Sequence, residues 1–565
     1  MKWVSNRFSS YRVGRSAAAS VLLFALAGLS GAGSNYIGYH GPNGTQVYPN
    51  SNPPVEWDGK TGTNILWQTP LPYVSYGGLI AVKNRVFLMS EFGYQSDFPE
   101  LVCMDATTGK RLWKREINHL ALAVQDAAER QKVATVWHDH LAWRREYMTL
   151  KAELAGAADE AARAVVTETM KTKGMWTADK KATPEKASPL SHWRMGKEHP
   201  EIGKAGLFFD AWRGSYGGWW PGATFATPCS DGEFVYIATA WRQYACFDFN
   251  GNQKWLQWFP QGGGRPGKSA DYGDGCGGSR SPLLWGDLFI ADTFGWVRAL
   301  DRKTGKVVWE VSRDALGIGQ HEITSPVVMT IGGVDVLWCN GPLAIRLPEG
   351  KPLKVENWPN SGMMAVLNTD ERDTLFLTGG GEHGAWADKG HGTNPPPAAV
   401  KFMIEGDALK PTVLWSGIDG KGLPSNCATL AYDAGKVYYC NRGVQVLDAK
   451  TGKVLSGAAK KAAAATGSIY AIANGRIYGT GAGGEHGCEK RKDDLEAKVS
   501  MDVFSLDGKQ LAVNALYGPK LEGEFKTMQT VAGIPNWFSY SMPFTVDGDR
   551  LYVRGCWMVY CIGAK

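Results

Sequence analysis

Asp105-Ala-Thr-Thr-Gly-Lys110 leads to Trp113, and Asp301-Arg-Lys-Thr-Gly-Lys306 leads to Trp309, each Trp eight residues after its Asp. Asp448-Ala-Lys-Thr-Gly-Lys453 keeps the frame but carries Ser456 at the Trp position, and Asp248-Phe-Asn-Gly-Asn-Gln-Lys254 reaches Trp255 one residue sooner. Self-similarity at this spacing marks a repeat fold whose units bury their apolar faces only against each other. Within each phrase the Asp ends a strand and accepts from turn amides, and the Gly takes a positive-φ position. The Trp on the next strand offers a flat face to the neighbouring unit. This is packing chemistry, so the repeated aspartates are not read as catalytic.

Around each phrase lie segments that alternate apolar and polar residues between Asp-Gly, Gly-Asp and Thr-Gly turns, the pattern of half-buried strands. The 70 Gly, 23 Trp and 21 Tyr of the 565 residues suit many tight turns between aromatic-rich strands. Repeats are placed near 78–116, 223–258, 279–311, 323–356, 362–416, 425–457, 467–514 and 540–563. The last has about three strands, and Asn64-Ile-Leu-Trp67-Gln-Thr supplies a fourth. The expected fold is all-β: an eight-bladed β-propeller of four-stranded blades, closed by pairing N- and C-terminal strands so that no open edge remains.

One large interruption separates the first two blades. Within 117–222, Val133, Trp137, Leu141 and Met148 recur near helical spacing before Gly156 and an Ala-rich run to Ala164, predicting one long helix or a helical hairpin. Trp176, Trp193, Trp212, Trp219 and Trp220 follow among Gly, Pro and His, as binding aromatics or as fasteners to the ring. The chain then divides into 1–33, a blade and closing strand over 34–116, the insertion 117–222, and seven further blades over 223–565.

Residues 1–33 read as an export leader. Lys2, Arg7, Arg12 and Arg15 precede a mostly apolar Ala17–Leu29 and the small-residue zone Ser30-Gly-Ala-Gly33. Leader removal takes four of the 61 basic residues and leaves 57 against 55 acidic ones, which gives no case for nucleic-acid binding. No second long apolar run exists, so no membrane span is expected after leader removal, and the mature chain is expected in the periplasm or outside the cell. The ten cysteines contain no C-x-x-C pair. Cys427 with Cys440 and Cys556 with Cys561 fall on neighbouring strands and are placed to form disulfides; buried free thiols are the alternative.

The frame Ala-x-Asp-x-x-Thr-Gly-Lys-x-x-Trp, met in full from Ala299 to Trp309 and all but its first position from Cys103 to Trp113, resembles the tryptophan-docking repeat of quinoprotein-type β-propellers. That family includes pyrroloquinoline quinone alcohol and sugar dehydrogenases and the propeller lipoprotein of the outer-membrane assembly machine. The chain departs from both. No two cysteines are adjacent, C-x-x-C-H is absent, and no Cys precedes Cys103 to take a lipid after the leader.

In a propeller, the loops between second and third strands and those between blades open on one rim. Gly380-Gly-Glu382-His383-Gly384 and Gly483-Gly-Glu485-His486-Gly487 are second-to-third-strand loops, and His321-Glu322 precedes the fourth blade. Three His and three Glu on one rim are candidate ligands for a divalent metal or groups for acid–base work; a duplicated turn is the plain structural alternative. Arg265, Asp274 and Arg280 are candidate pocket charges beside them, for a cofactor such as pyrroloquinoline quinone, unless they form ordinary Arg–Asp pairs. The chain is expected to bind a protein partner or small ligand without catalysis. The alternatives are a quinone- or metal-dependent oxidoreductase of alcohols or sugars, and a carbohydrate-binding accessory protein using its Trp residues.

Overall fold

The computed structural model describes residues 36–39, 41–71, 77–91, 96–176, 199–207, 224, 226–260, 280–293, 295–318, 325–339, 343–358, 365–377, 396–418, 429–440, 443–458, 470–480, 498–517, 543–555 and 558–565. The chain is mostly β, in several sheets. After three short strands (Ile37–Gly38, Gly41–Pro42, Val47–Tyr48), antiparallel runs of four strands follow in chain order over 79–116, 229–258, 283–312, 327–355, 365–416, 429–457 and 470–517. A last run takes strands from both ends of the chain: Phe544–Asp547, Arg550–Arg554 and Met558–Gly563 accept Ile65–Pro70 as their fourth, with Cys561 opposite Trp67. These are the first to eighth units. Helices α1 (Ala127–Gly156) and α2 (Glu160–Thr172) lie between the first and second.

Strands inside each unit are buried on both faces. In Arg85–Ser90, Val86 and Leu88 pack towards the eighth unit, whereas Phe87 and Met89 pack towards the second. Such strands show continuous apolar runs rather than clean alternation. First strands of neighbouring units touch along a circle: eighth to first, first to second, second to third, and then fourth through eighth. Between the third and fourth units the Ser281 amide donates to Ser325 Oγ at 3.0 Å.

The phrases form the seams. Trp113 Nε1 donates to the Phe249 carbonyl, Trp255 to Arg302, Trp309 to Pro348, Trp415 to Ala449 and Trp67 to Ala106, all at 2.8–3.0 Å and all in the following unit. Each indole lies on the turn glycine of that unit (Gly251, Gly305, Gly350, Gly452, Gly109), every one at positive φ. The Asp holds the turn open for it: Asp301 Oδ1 accepts from the Lys303 and Thr304 amides and the Thr304 hydroxyl. The Thr304 hydroxyl and these amides keep its carboxyl below the usual carboxylate range.

Three seams lack this device. The fourth unit pairs edge to edge with the fifth, Lys354 and Val355 running parallel to Ala408 and Leu409. Between sixth and seventh, Ser456 holds the Trp position and Gly457 lies against Gly508. Between seventh and eighth the N-terminal segment wedges in: Trp57 is buried, its amide donates to Asn514 Oδ1 at 2.9 Å, and Tyr478 Oη donates to the Pro53 carbonyl at 2.7 Å.

The same segment crosses the circle. Ile37 pairs with Ser230 in the second unit, and Val47 and Tyr48 run parallel to Ile472 and Ala473 in the seventh. Those partners lie at the ends of first strands, just before the turns at Gly232 and Gly475. Residues 36–48 therefore cover the circle on the face that carries the Asp-x-x-Thr-Gly turns.

Candidate functional site

The two faces differ in chemistry. On the turn face the phrase carboxylates are partly exposed and satisfied by their own turns. On the opposite face, where second strands end and third strands begin, buried polar groups collect. Arg280, Asp292 and Arg313 form a buried triad: Arg280 Nη1 donates to Asp292 Oδ1 at 2.9 Å, and Arg313 Nη2 to Oδ2 at 2.6 Å. Glu91 is buried and accepts from the Thr224 amide and hydroxyl at 3.2 and 3.0 Å. Arg554 reaches the Gly77 carbonyl at 3.0 Å. Arg298 lies over the rings of Phe259 and Trp296, 4.3 and 4.9 Å from their centroids, with Nε on Glu310. Nearby Arg242 is pulled down to about 10, chiefly by burial, with Arg298 adding repulsion.

This face also holds the helical insertion. Asp97, at the loop-face end of the first unit, accepts from Trp137 Nε1 through its carbonyl and pairs through its carboxylate with His138 and Arg145 at 2.6 and 2.7 Å. Val133, Trp137 and Leu141, spaced four apart, bury one stripe of α1 against Phe98, Ile202 and Trp241. Beyond Leu141 the helix leaves this contact, and Tyr147 and Leu150 pack with Met170 and Met175. At 30 residues α1 is about 45 Å long, so its distal half and α2 form an arm.

His119, which the sequence reading missed, fastens that arm. Its Nε2 is 2.7 Å from the Ala205 carbonyl, its Nδ1 is 2.7 Å from Gln243 Nε2, and its ring stacks on Trp258 with centroids 5.0 Å apart. Nε2 donates and Nδ1 accepts, which requires a neutral ring; burial pushes the group down to about 4. The signal was present as Asn118-His119 directly after the first unit's last strand, but a lone His there does not announce a partner 124 residues away.

Of the predicted site residues, Arg265, Asp274, His321, Glu322, Glu382, His383, Glu485 and His486 lie outside the described residues. Arg280 is described, and its partner Asp292 makes it half of a buried, not a surface, ion pair. Among the described residues no three His, Cys, Asp or Glu side chains group to hold a metal ion. Cys440 and Cys561 are free, buried thiols, the second of the two readings left open for them; Cys427 and Cys556 lie outside the described residues.

No family model matches the chain, and no curated protein matches it. Among solved structures it is similar to BamB from Moraxella catarrhalis, at 13% identity and a TM-score of 0.36 over 59% of this chain and 82% of that one. It is also similar to the computationally designed Ika8 protein, at 9% identity and 0.42 over 87% and 97%. A third is the quinohemoprotein alcohol dehydrogenase from Comamonas testosteroni, at 12% identity and 0.31 over 60% and 74%. No helix among the described residues is long and apolar enough to cross a membrane.

Proposed function

We propose that the eight units are the blades of one closed β-propeller, exported behind a leader over residues 1–33, and that it is a non-catalytic binding protein. Its partner sits on the loop face, between the circle of blades and the helical arm. The observation that supports this most is the difference between the faces. Residues 36–48 cover the turn face, while buried charge and the arm stand on the other. Among the described residues, five buried arginines towards the loop face (242, 280, 298, 313 and 554) stand against four buried carboxylates (Glu91, Glu100, Asp292 and Asp502), which favours a partner that brings acidic groups.

The test is native mass spectrometry of the protein from its exported compartment against its denatured mass, with and without residues 146–172 of the arm. The expected result is no bound quinone or metal, and a partner that dissociates with added salt and is absent from the armless chain. A mass excess matching a quinone or a divalent ion overturns the proposal in favour of an oxidoreductase with Glu382, His383, Glu485 and His486 at its centre.

A further inference from the structure

Asp502 has no role in the binding proposal above, and among the described residues only the Gln510 side chain comes near enough to favour its charge, too weakly to offset burial. It sits mid-strand in Lys498–Ser505, opposite Gly479 on one side and Val513 on the other, with a relative exposure of 0%. Both carboxylate oxygens are buried without a hydrogen bond. Alternation along the strand gives its direction. Met501 and Val503 belong to the core shared with the eighth unit, whereas Phe504, two residues on from Asp502, packs with Tyr438, Cys440, Val444 and Val446 of the sixth. The carboxyl therefore faces the seam between sixth and seventh units.

No described cation answers it there. From the sixth unit the titratable groups on that face are Tyr438 and Cys440, both pushed up chiefly by burial, with Lys436 and Asp448 at the turn end of their strands. From its own unit, Arg476 pairs with Ser505 at the turn end, Lys509 lies in the adjoining turn, and Gln510 opposes Phe504. This seam has neither a docked tryptophan nor paired edge strands: Ser456 replaces the indole and Gly457 meets Gly508. An unanswered carboxyl thus faces one of the three seams built without the docking device.

We propose that this seam is a proton-dependent latch, closed while Asp502 is neutral and opened locally when Asp502 ionises and draws water. Burial raises its pKa to about 7 in the closed seam, against the usual value near 4 once water reaches it. The closed state holds more protons between those limits, so opening becomes easier as pH rises from about 4 to about 7 and is level above that. Across the interval the open fraction grows roughly a hundred- to a thousandfold.

Hydrogen exchange of the full chain between pH 5 and pH 8, corrected for intrinsic rates, tests this. Expected is a loss of protection of about a hundredfold in residues 444–447 and 501–504, levelling off near pH 7. The tryptophan-locked seam around Phe247 and Leu300 serves as the internal control and stays unchanged. Asp502→Asn, isosteric and never charged, abolishes the pH dependence. The wild-type comparison of two seams stands even if that variant fails to fold. Equal pH dependence at both seams, a flat profile at 444–447 and 501–504, or an unchanged slope in Asp502→Asn overturns the proposal.

Discussion

At the scale of single residues, one position accounts for half of the described cysteines. The third strand carries Cys103, Cys246, Ala299, Ala399 or Cys561 directly opposite the docking Trp of its own unit. The register slips immediately after each of them, a bulge that sets the twist of the last strand. Cysteine serves there as a small apolar side chain that leaves room for the indole, and burial pushes the Cys103 and Cys561 thiols up to about 12. This was legible, because the repeat frame begins with Ala and Cys103 stands in its place. A count of cysteines by spacing alone suggests disulfides instead. The turn glycines give a sharper test. A Cβ on Gly305, at φ +72°, would stand 2.7 Å from the Trp255 ring, whereas one on Gly286, at φ +54°, meets open space. Gly305→Ala is expected to cost about 1–3 kcal/mol from strain and clash together, and Gly286→Ala about 1 kcal/mol from backbone strain alone. Urea unfolding of the two variants side by side checks the difference.

At the scale of elements, the insertion was legible in its proximal half and not in its distal half. Val133, Trp137 and Leu141 repeat at four-residue steps because one stripe faces the ring throughout that stretch. Past Arg145 the partner changes from the first unit to α2, the stripe moves to Tyr147 and Leu150, and the period breaks. The seam after the fourth unit was opaque for a similar reason. That unit's last strand lacks both the bulge and the Trp, with Ala344 opposite Leu353, and it bonds to the fifth unit through backbone groups that leave no side-chain signature. The arm's fastening carries a pH prediction. His119 is neutral in the fold down to about 4, below the usual 6.5 of an exposed ring. The unfolded or undocked state therefore takes up the proton first, and docking weakens as pH falls from about 6.5 to about 4, then levels. Exchange protection of residues 133–141 should fall over that window, and His119→Gln should remove the dependence.

At the scale of the whole molecule, the mostly β character was legible because it is repeated, and the candidate site was not because it is not repeated. Eight of the nine predicted site residues lie outside the described residues, and the ninth, Arg280, belongs to a triad whose other members carry no motif. Nothing in residues 36–58 resembles the repeat either, since their conformation comes from strands of the second, seventh and eighth units. Two truncations separate the roles of that end. A chain begun at residue 60 keeps the closing strand but loses the wedge and the cover on the turn face; it should keep the oligomeric state of the full chain with a lowered melting temperature. A chain begun at residue 72 leaves Met558–Gly563 as an open edge and should aggregate, as light scattering would report. The closing pair also sets an order in time. Ile65–Pro70 is made before all the strands that lie between it and its partner Met558–Gly563, and that partner after them. Until the partner is made, Ile65–Pro70 has no strand to pair with and its edge stays bare. A stop ahead of residue 558 would thus undo the pairing at residue 65 as thoroughly as it removes the partner strand.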